Sequence, residues 1–323
     1  MNRSVLDGAE LGARLRECDT AAAAAVLNLV ESRAPGARGE ADKLLEAVSP
    51  AALGHEAPAH IVGVTGPPGV GKSSLLSALV AAWRRRDRSV AVLTVDPTSR
   101  RSGGALLGDR ARIDVDPSDR AVFVRSTAAG GRLGGLAAPT RAAATALAVA
   151  FDVVVIETVG VGQSETEVAD VADTVAVVVQ PASGDVLQFL KAGIMEVPDV
   201  LVVAKADLGR PAQRAVSDLR AALQALGASG TAVVAVSSLP PPTGIDELVE
   251  ALEAHRASLD LPVRRLRARR MHALADFTAE HGERGLRALG GRRAAEQWLS
   301  EQEAGLDVPA LQRALEQRAG LGA

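Results

Sequence analysis

Gly66-Pro67-Pro68-Gly69-Val70-Gly71-Lys72-Ser73 sets three glycines, an ammonium and a hydroxyl in the G-x-x-x-x-G-K-[ST] order of a phosphate-binding loop. Glycines at 66, 69 and 71 are expected to bring backbone N–H groups against anionic oxygens with no Cβ in the way. The start of the following helix, Ser74 included, adds positive potential. Lys72 is expected to reach the β- and γ-phosphates, and Ser73 to ligate Mg²⁺. Ile61-Val62-Gly63-Val64 before the loop reads as a buried strand, and Ser74 to Val80 after it reads as a helix. That strand-loop-helix context separates the motif from an ordinary glycine-rich turn.

Other polar residues follow apolar runs in the same way. Lys205-Ala206-Asp207 follows a Val-rich run and resembles the N-K-x-D element that selects guanine, with Ala204 in the place of the asparagine. A carboxylate at Asp207 can accept from guanine N1–H and the exocyclic amine, and Lys205 can lie along the base plane. Losing the asparagine amide is expected to cost about 1–3 kcal/mol if its bond is not replaced. Ser237-Ser238-Leu239, after the last run, resembles the S-A-[LK] loop whose backbone contacts the guanine oxygen in GTPases. Glu157, after the run ending at Ile156, suits a Mg²⁺ site, and Gly160 and Gly162 suit a segment that moves with the γ-phosphate. Gln163 is a candidate for orienting the attacking water. Asp96 reads equally as a second Mg²⁺ or water-positioning carboxylate and as a turn or N-cap residue. Asp109, in Gly108-Asp109-Arg110, is a further candidate ligand in a first switch.

The elements that position these residues are legible as alternation. The runs 61–64, 90–95, 121–124, 153–156, 175–179, 200–203 and 232–236 are short, continuous and rich in Val, as parallel strands buried on both faces are. Helical patterns separate them, which predicts an α/β fold with a doubly wound, mainly parallel sheet. Ligands of such sheets bind beyond the carboxyl ends of the strands, where Asp96, Glu157, Lys205 and Asp207 fall. The predicted organisation is an N-terminal helical extension over 1–58, a nucleotide domain over 59–260 and a C-terminal helical extension over 261–323.

Composition bounds the remainder. The chain has 323 residues, 47% hydrophobic but only 2% aromatic and without Tyr, so its core must be built from Ala, Val and Leu. A formal net charge of −3 gives no bulk signature of nucleic-acid binding. The single cysteine, Cys18, excludes an intrachain disulfide and a thiolate cluster and reads as a small buried residue of a helix. No run reaches the ~18 apolar residues of a membrane span, and the N-terminus lacks an apolar signal core, so a cytoplasmic protein without a membrane partner is expected. The run Arg264-Arg265-Leu266-Arg267-Ala268-Arg269-Arg270 reads first as a solvated helix face and second as a patch for an acidic partner.

The order of motifs resembles the MeaB/ArgK-type GTPases of the SIMIBI class. The resemblance runs through Gly66 to Ser74, Val95 to Ser99, Leu107 to Arg110, Leu133 to Leu136, Glu157 to Glu165, Gly184-Asp185, Lys191 to Glu196 and Lys205 to Asp207. It implies hydrolysis of GTP to GDP with Mg²⁺. It also implies a chaperone role toward a cobalamin-dependent acyl-CoA mutase, usually methylmalonyl-CoA mutase, gating its cofactor loading and protecting it. A homodimer, with the C-terminal helices as the dimerisation extension, is also implied. The chain has no Asp-x-His-x-x-Gly cobalamin motif, so cobalamin is expected on the partner. A nickel-inserting GTPase, a kinase of an amino-acid transport system and a nucleotide-binding module without turnover are the other readings. The five histidines are scattered with no Cys-His pair, which weighs against the first of these.

Overall fold

The protein is described from a computed structural model that covers residues 7–96, 113–128, 136–158, 168–181 and 198–321. It comprises two compact units, His60–Thr140 with Phe151–Leu259, and Met1–Ala59 with Arg141–Ala150 and Asp260–Ala323.

The first unit is built on the Val-rich runs. They form β1 (His60–Thr65), β2 (Val90–Asp96), β3 (Val122–Ala128), β4 (Val153–Thr158), β5 (Thr174–Val179), β6 (Val200–Val203) and β7 (Ala232–Ala235). Among the described residues they make one seven-stranded parallel sheet in the order β3-β2-β4-β1-β5-β6-β7. The doubly wound parallel sheet read from the sequence is therefore present. The chain leaves β1 toward β2 on one side and later fills β5, β6 and β7 on the other. A crevice thus opens at the carboxyl end of β1, where the glycine loop begins.

One sheet face carries Val62, Val64, Val153, Val155, Ala176, Val178, Val200 and Val202, packed with Leu75, Leu76, Leu79 and Trp83. These last belong to the helix after the loop, Lys72–Arg85, and Leu248, Val249 and Leu252 of Ile245–Ala257 complete the cluster. A core of small aliphatic residues follows from the composition, with Trp83 its largest member.

The second unit is helical. It contains α1 (Gly8–Arg16), α2 (Ala23–Val30), α3 (Ala37–Ala47) and α4 (Pro50–Leu53) from the N-terminal part of the chain. Continuing the numbering past α5 (Lys72–Arg85), α6 (Ala138–Leu147), α7 (Arg210–Ala225) and α8 (Ile245–Ala257), the C-terminal part supplies α9 (Leu261–Ala288), α10 (Arg292–Ser300) and α11 (Val308–Arg318). Asp7, Ser49, Asp260 and Asp307 cap α1, α4, α9 and α11 through their side chains. The Gly290-Gly291 break separates α9 from α10 as the sequence suggests, and α9 is itself kinked at Gly282.

One sequence expectation fails in this unit and a second holds only in part. Cys18 is not a buried helix residue: α1 ends at Arg16, and Cys18 lies in the closing turn with φ 58°, exposed. A left-handed residue just past a helix end satisfies the last carbonyls, and here Cys18 N–H donates to Leu15 O. The basic run on α9 is a solvated face only in part: Arg267 is exposed, but three other arginines are bonded within the unit. Arg265 donates to Ala57 O at 2.6 Å and Ala59 O at 2.8 Å. Arg269 forks onto both oxygens of Glu56 at 2.8 and 3.0 Å, and Arg270 donates to Ser300 O and Gln302 O. These three guanidinium groups serve as bridges within the unit, because their rigid fork matches carboxylates and turn carbonyls.

Candidate nucleotide site

The glycine loop turns directly out of β1. Gly66 has φ 146°, and a Cβ there would lie 2.3 Å from Val178 O on β5. This glycine is also required by packing against the neighbouring strand, a reason that motif spacing alone does not supply. Gly69 (φ 76°) and Gly71 (φ 105°) have open space around them, and their positive φ calls for glycine. Pro67, Pro68 and Gly69 form the partly exposed outer arm, while Val70 is fully buried and pins the loop to the core. Gly71 is the N-cap of α5 and has no side chain to cap the first turn, which Lys72, Ser73 and Ser74 open. A helix start of this kind is a ready anion site.

Lys72 is buried and folds back over the loop, donating to Gly66 O at 2.7 Å and Pro67 O at 3.3 Å. Its ammonium is thus held in the mouth of the loop. Ser73 is half-buried beside it, at the amino end of α5.

Glu157, the second-last residue of β4, pairs in register with Val64 on β1 and Thr94 on β2. Side chains alternate along a strand, so Glu157 stands on the same face as Val153 and Val155, the face that α5 covers. It is 3% exposed, a carboxylate buried at the strand end nearest the loop. Asp96 is the last residue of β2, one position beyond the Val95–Thr158 pair. Gln163 and Asp109 lie outside the described residues.

The other end of the site is built by β6 and β7. Lys205 takes φ 58°, and its Nζ donates to Gly69 O at 3.4 Å and Gln180 Oε1 at 2.8 Å. The side chain therefore spans from the β6 loop to the phosphate loop. Ser237 is buried after β7 and its hydroxyl donates to Asp207 Oδ1 at 2.8 Å while accepting from Leu239 N–H at 3.3 Å. Ala206 N–H donates to Val236 O. These bonds bring Lys205, Asp207, Ser237, Ser238 and Leu239 into one constellation. Leu208 and Leu239 stand 53% and 60% exposed beside it, apolar surfaces flanking the Asp207 carboxylate.

Three contributors escaped the sequence reading. Gln180 follows the buried run of β5, and the strand-end rule that found Asp96 and Glu157 also applies to it. Thr65 and Thr158 end adjacent strands beside the loop, their hydroxyls buried and without a hydrogen-bond partner among the described residues. No motif singles out a threonine there.

Known proteins resemble the chain in sequence and fold. A crystal structure described as an LAO/AO transport system kinase matches with a TM-score of 0.62 and 29% identity, over 93% of this chain and 98% of that one. A Pyrococcus horikoshii protein named as a GTPase is 46% identical over 199 residues, 61% of this chain and 60% of its own length. The methylmalonic aciduria type A homolog, mitochondrial, of Caenorhabditis elegans is 43% identical over 195 residues, 58% of this chain and 49% of its own. The chain thus spans about half to three fifths of the length of these two relatives. The model of the methylmalonyl Co-A mutase-associated GTPase MeaB family matches residues 23–284. The chain therefore belongs to the MeaB family of methylmalonyl-CoA mutase-associated GTPases, and is a GTPase of that family.

Proposed function

We propose that the chain is a partner-controlled GTP switch that gates cofactor loading into a cobalamin-dependent acyl-CoA mutase, methylmalonyl-CoA mutase first, and protects that enzyme. The observation that carries the nucleotide part is the Lys205 bridge. One side chain links the phosphate loop at Gly69 to the loop bearing Asp207, so both ends of a nucleotide site share one frame. In this reading Asp207 accepts from the guanine N1–H and amine, Lys205 lies along the base, and the Ser237-Ser238-Leu239 segment meets the guanine oxygen. Leu208 and Leu239 cover the faces of the base. The mutase part rests on the family's association with that enzyme.

Residues 66 to 74 wrap the phosphates, with Lys72 neutralising charge that grows on the transferred group. The available donors here, the Ser73 hydroxyl and the buried Glu157 carboxylate, are hard oxygens, which suit Mg²⁺. Ser73 and Glu157 would hold the ion, with Asp96 and Asp109 as further ligands, and when bound it supplies charge neutralisation at the phosphates. Gln163 orients the water, and Glu157 and Asp96 contribute to its placement. The C-terminal helices would join two copies in a cytoplasmic homodimer.

Phosphate release from GTP tests the catalytic part. Lys72→Ala is expected to lower turnover by at least 100-fold while circular dichroism and the unfolding midpoint without nucleotide stay close to those of the unaltered chain. Full activity in that variant would remove the assignment. Co-purification with methylmalonyl-CoA mutase, compared with GDP and with a non-hydrolysable GTP analogue, tests the partner. Nucleotide-independent absence of the complex would defeat the chaperone role.

A further inference from the structure

The guanine end of the site carries an unusual substitution and an unassigned side chain at the same place. Ala204 occupies the position from which an amide would brace the base-reading loop, and its methyl group is buried. Its N–H donates to Val179 O at 2.8 Å, which seats the start of the β6 loop beside the residue after Val179. That residue is Gln180, half-buried, and its Oε1 accepts from Lys205 Nζ at 2.8 Å.

Lys205 itself is exposed and takes a left-handed backbone conformation. An exposed lysine ordinarily samples many rotamers, and this one is held in a single path by two acceptors, Gly69 O and Gln180 Oε1. The longer of the two contacts, 3.4 Å, is to the backbone, and the shorter is to the Gln180 side chain. Most of the ordering therefore comes from Gln180.

We propose that Gln180 is a positioning residue for guanine-nucleotide binding, standing in from just after β5 for the amide that Ala204 lacks just after β6. It acts through Lys205, holding the ammonium against the phosphate loop so that the side chain is already in place when the base arrives. The bracing function has moved one strand across the sheet, to a residue that the Ala204–Val179 hydrogen bond places next to its old position. This inference rests on the nucleotide reading given above. A ligand that needs Lys205 ordered binds in proportion to the fraction of molecules in which it is ordered, so losing the brace weakens binding without touching the phosphate end.

The test is a set of four variants of the full chain, read by GDP affinity, by KM and kcat for GTP and by unfolding midpoint without nucleotide. Gln180→Ala is expected to raise the GDP Kd and the GTP KM by about 5- to 20-fold, with the effect falling on KM rather than kcat. Gln180→Glu keeps an acceptor for Lys205 and is expected to bind within about twofold of the unaltered chain. Adding Ala204→Asn to Gln180→Ala is expected to recover most of the loss, and to gain less in the unaltered background, as residues sharing one function do. Unchanged GDP affinity in Gln180→Ala overturns the proposal. So does an equal loss in Gln180→Glu, which needs no substitution at the buried position 204. Absence of guanine-nucleotide binding by the unaltered chain is a separate result, and it removes the nucleotide reading itself.

Discussion

Gly66 and Gly69 share a motif and a residue type but answer to different forces. At Gly66 a methyl group would meet the Val178 carbonyl, so alanine there combines strain with overpacking. At Gly69 the space is open and only the positive φ opposes a side chain. Gly66→Ala is therefore expected to cost about 2–5 kcal/mol of stability without nucleotide, and Gly69→Ala roughly 1–2 kcal/mol. Denaturant midpoints check this, and equal losses would show that the β5 contact carries no weight. The distinction was not legible in the motif, because spacing names the glycines without saying what lies beside them. Lys205, Asp207 and Ser237 were legible, since each follows an apolar run at a strand end. Gln180 obeys the same rule and was passed over, because no known phosphate or base motif contains it.

The strands were the most readable elements, for a physical reason. A parallel strand buried on both faces must be continuously apolar, and the Val runs announce that without reference to tertiary structure. The long helix α9 was not readable in this way. Its charges suggest a solvated face, yet Arg265, Arg269 and Arg270 are spent on carbonyls and a carboxylate distant in sequence. The same helix hides His272, whose Nε2 is buried without a hydrogen-bond partner among the described residues. Burial, reinforced by the Arg141 charge, pushes its pKa down to about 3. The imidazole thus stays neutral in the folded chain over a range where the unfolded chain protonates it. Above about pH 6.5 both states are neutral and His272 has no effect on the pH dependence. Between about 6.5 and about 3 the unfolded state binds the extra proton, so stability falls as pH falls, by up to roughly 1.4 kcal/mol per pH unit from this group. His272→Gln removes the titration. Chemical denaturation of both chains at pH 7, 6, 5 and 4 should give curves whose difference changes with that slope below pH 6.5. A constant difference would mean that His272 titrates alike in both states.

At the scale of the whole molecule, the helical unit joins parts of the chain that lie far apart in sequence, Met1–Ala59, Arg141–Ala150 and Asp260–Ala323. Helical periodicity marks both ends of the chain, but no local pattern says that they belong to one body, because the signal is carried by pairings across more than two hundred residues. Arg269 on α9 binds Glu56 with both side chains mostly buried, 12% and 16% exposed, and Arg38 on α3 binds Glu280. Arg313 on α11 reaches back to Asp42. Breaking the Arg269–Glu56 pair leaves a buried carboxylate without its fork, which costs about 3–5 kcal/mol. If the unit is one cooperative body, that cost is shared by all of its segments. Native-state hydrogen exchange on Arg269→Ala should therefore show amides of α1, α3, α9 and α11 losing protection by a similar amount. Arg269→Ala combined with Glu56→Ala should recover part of it, because the stranded charge is gone. Loss confined to α9 and its neighbour α10, with α1 and α3 unchanged, would mean that the two chain ends open independently and that the ion pairs between them decorate the fold without coupling it.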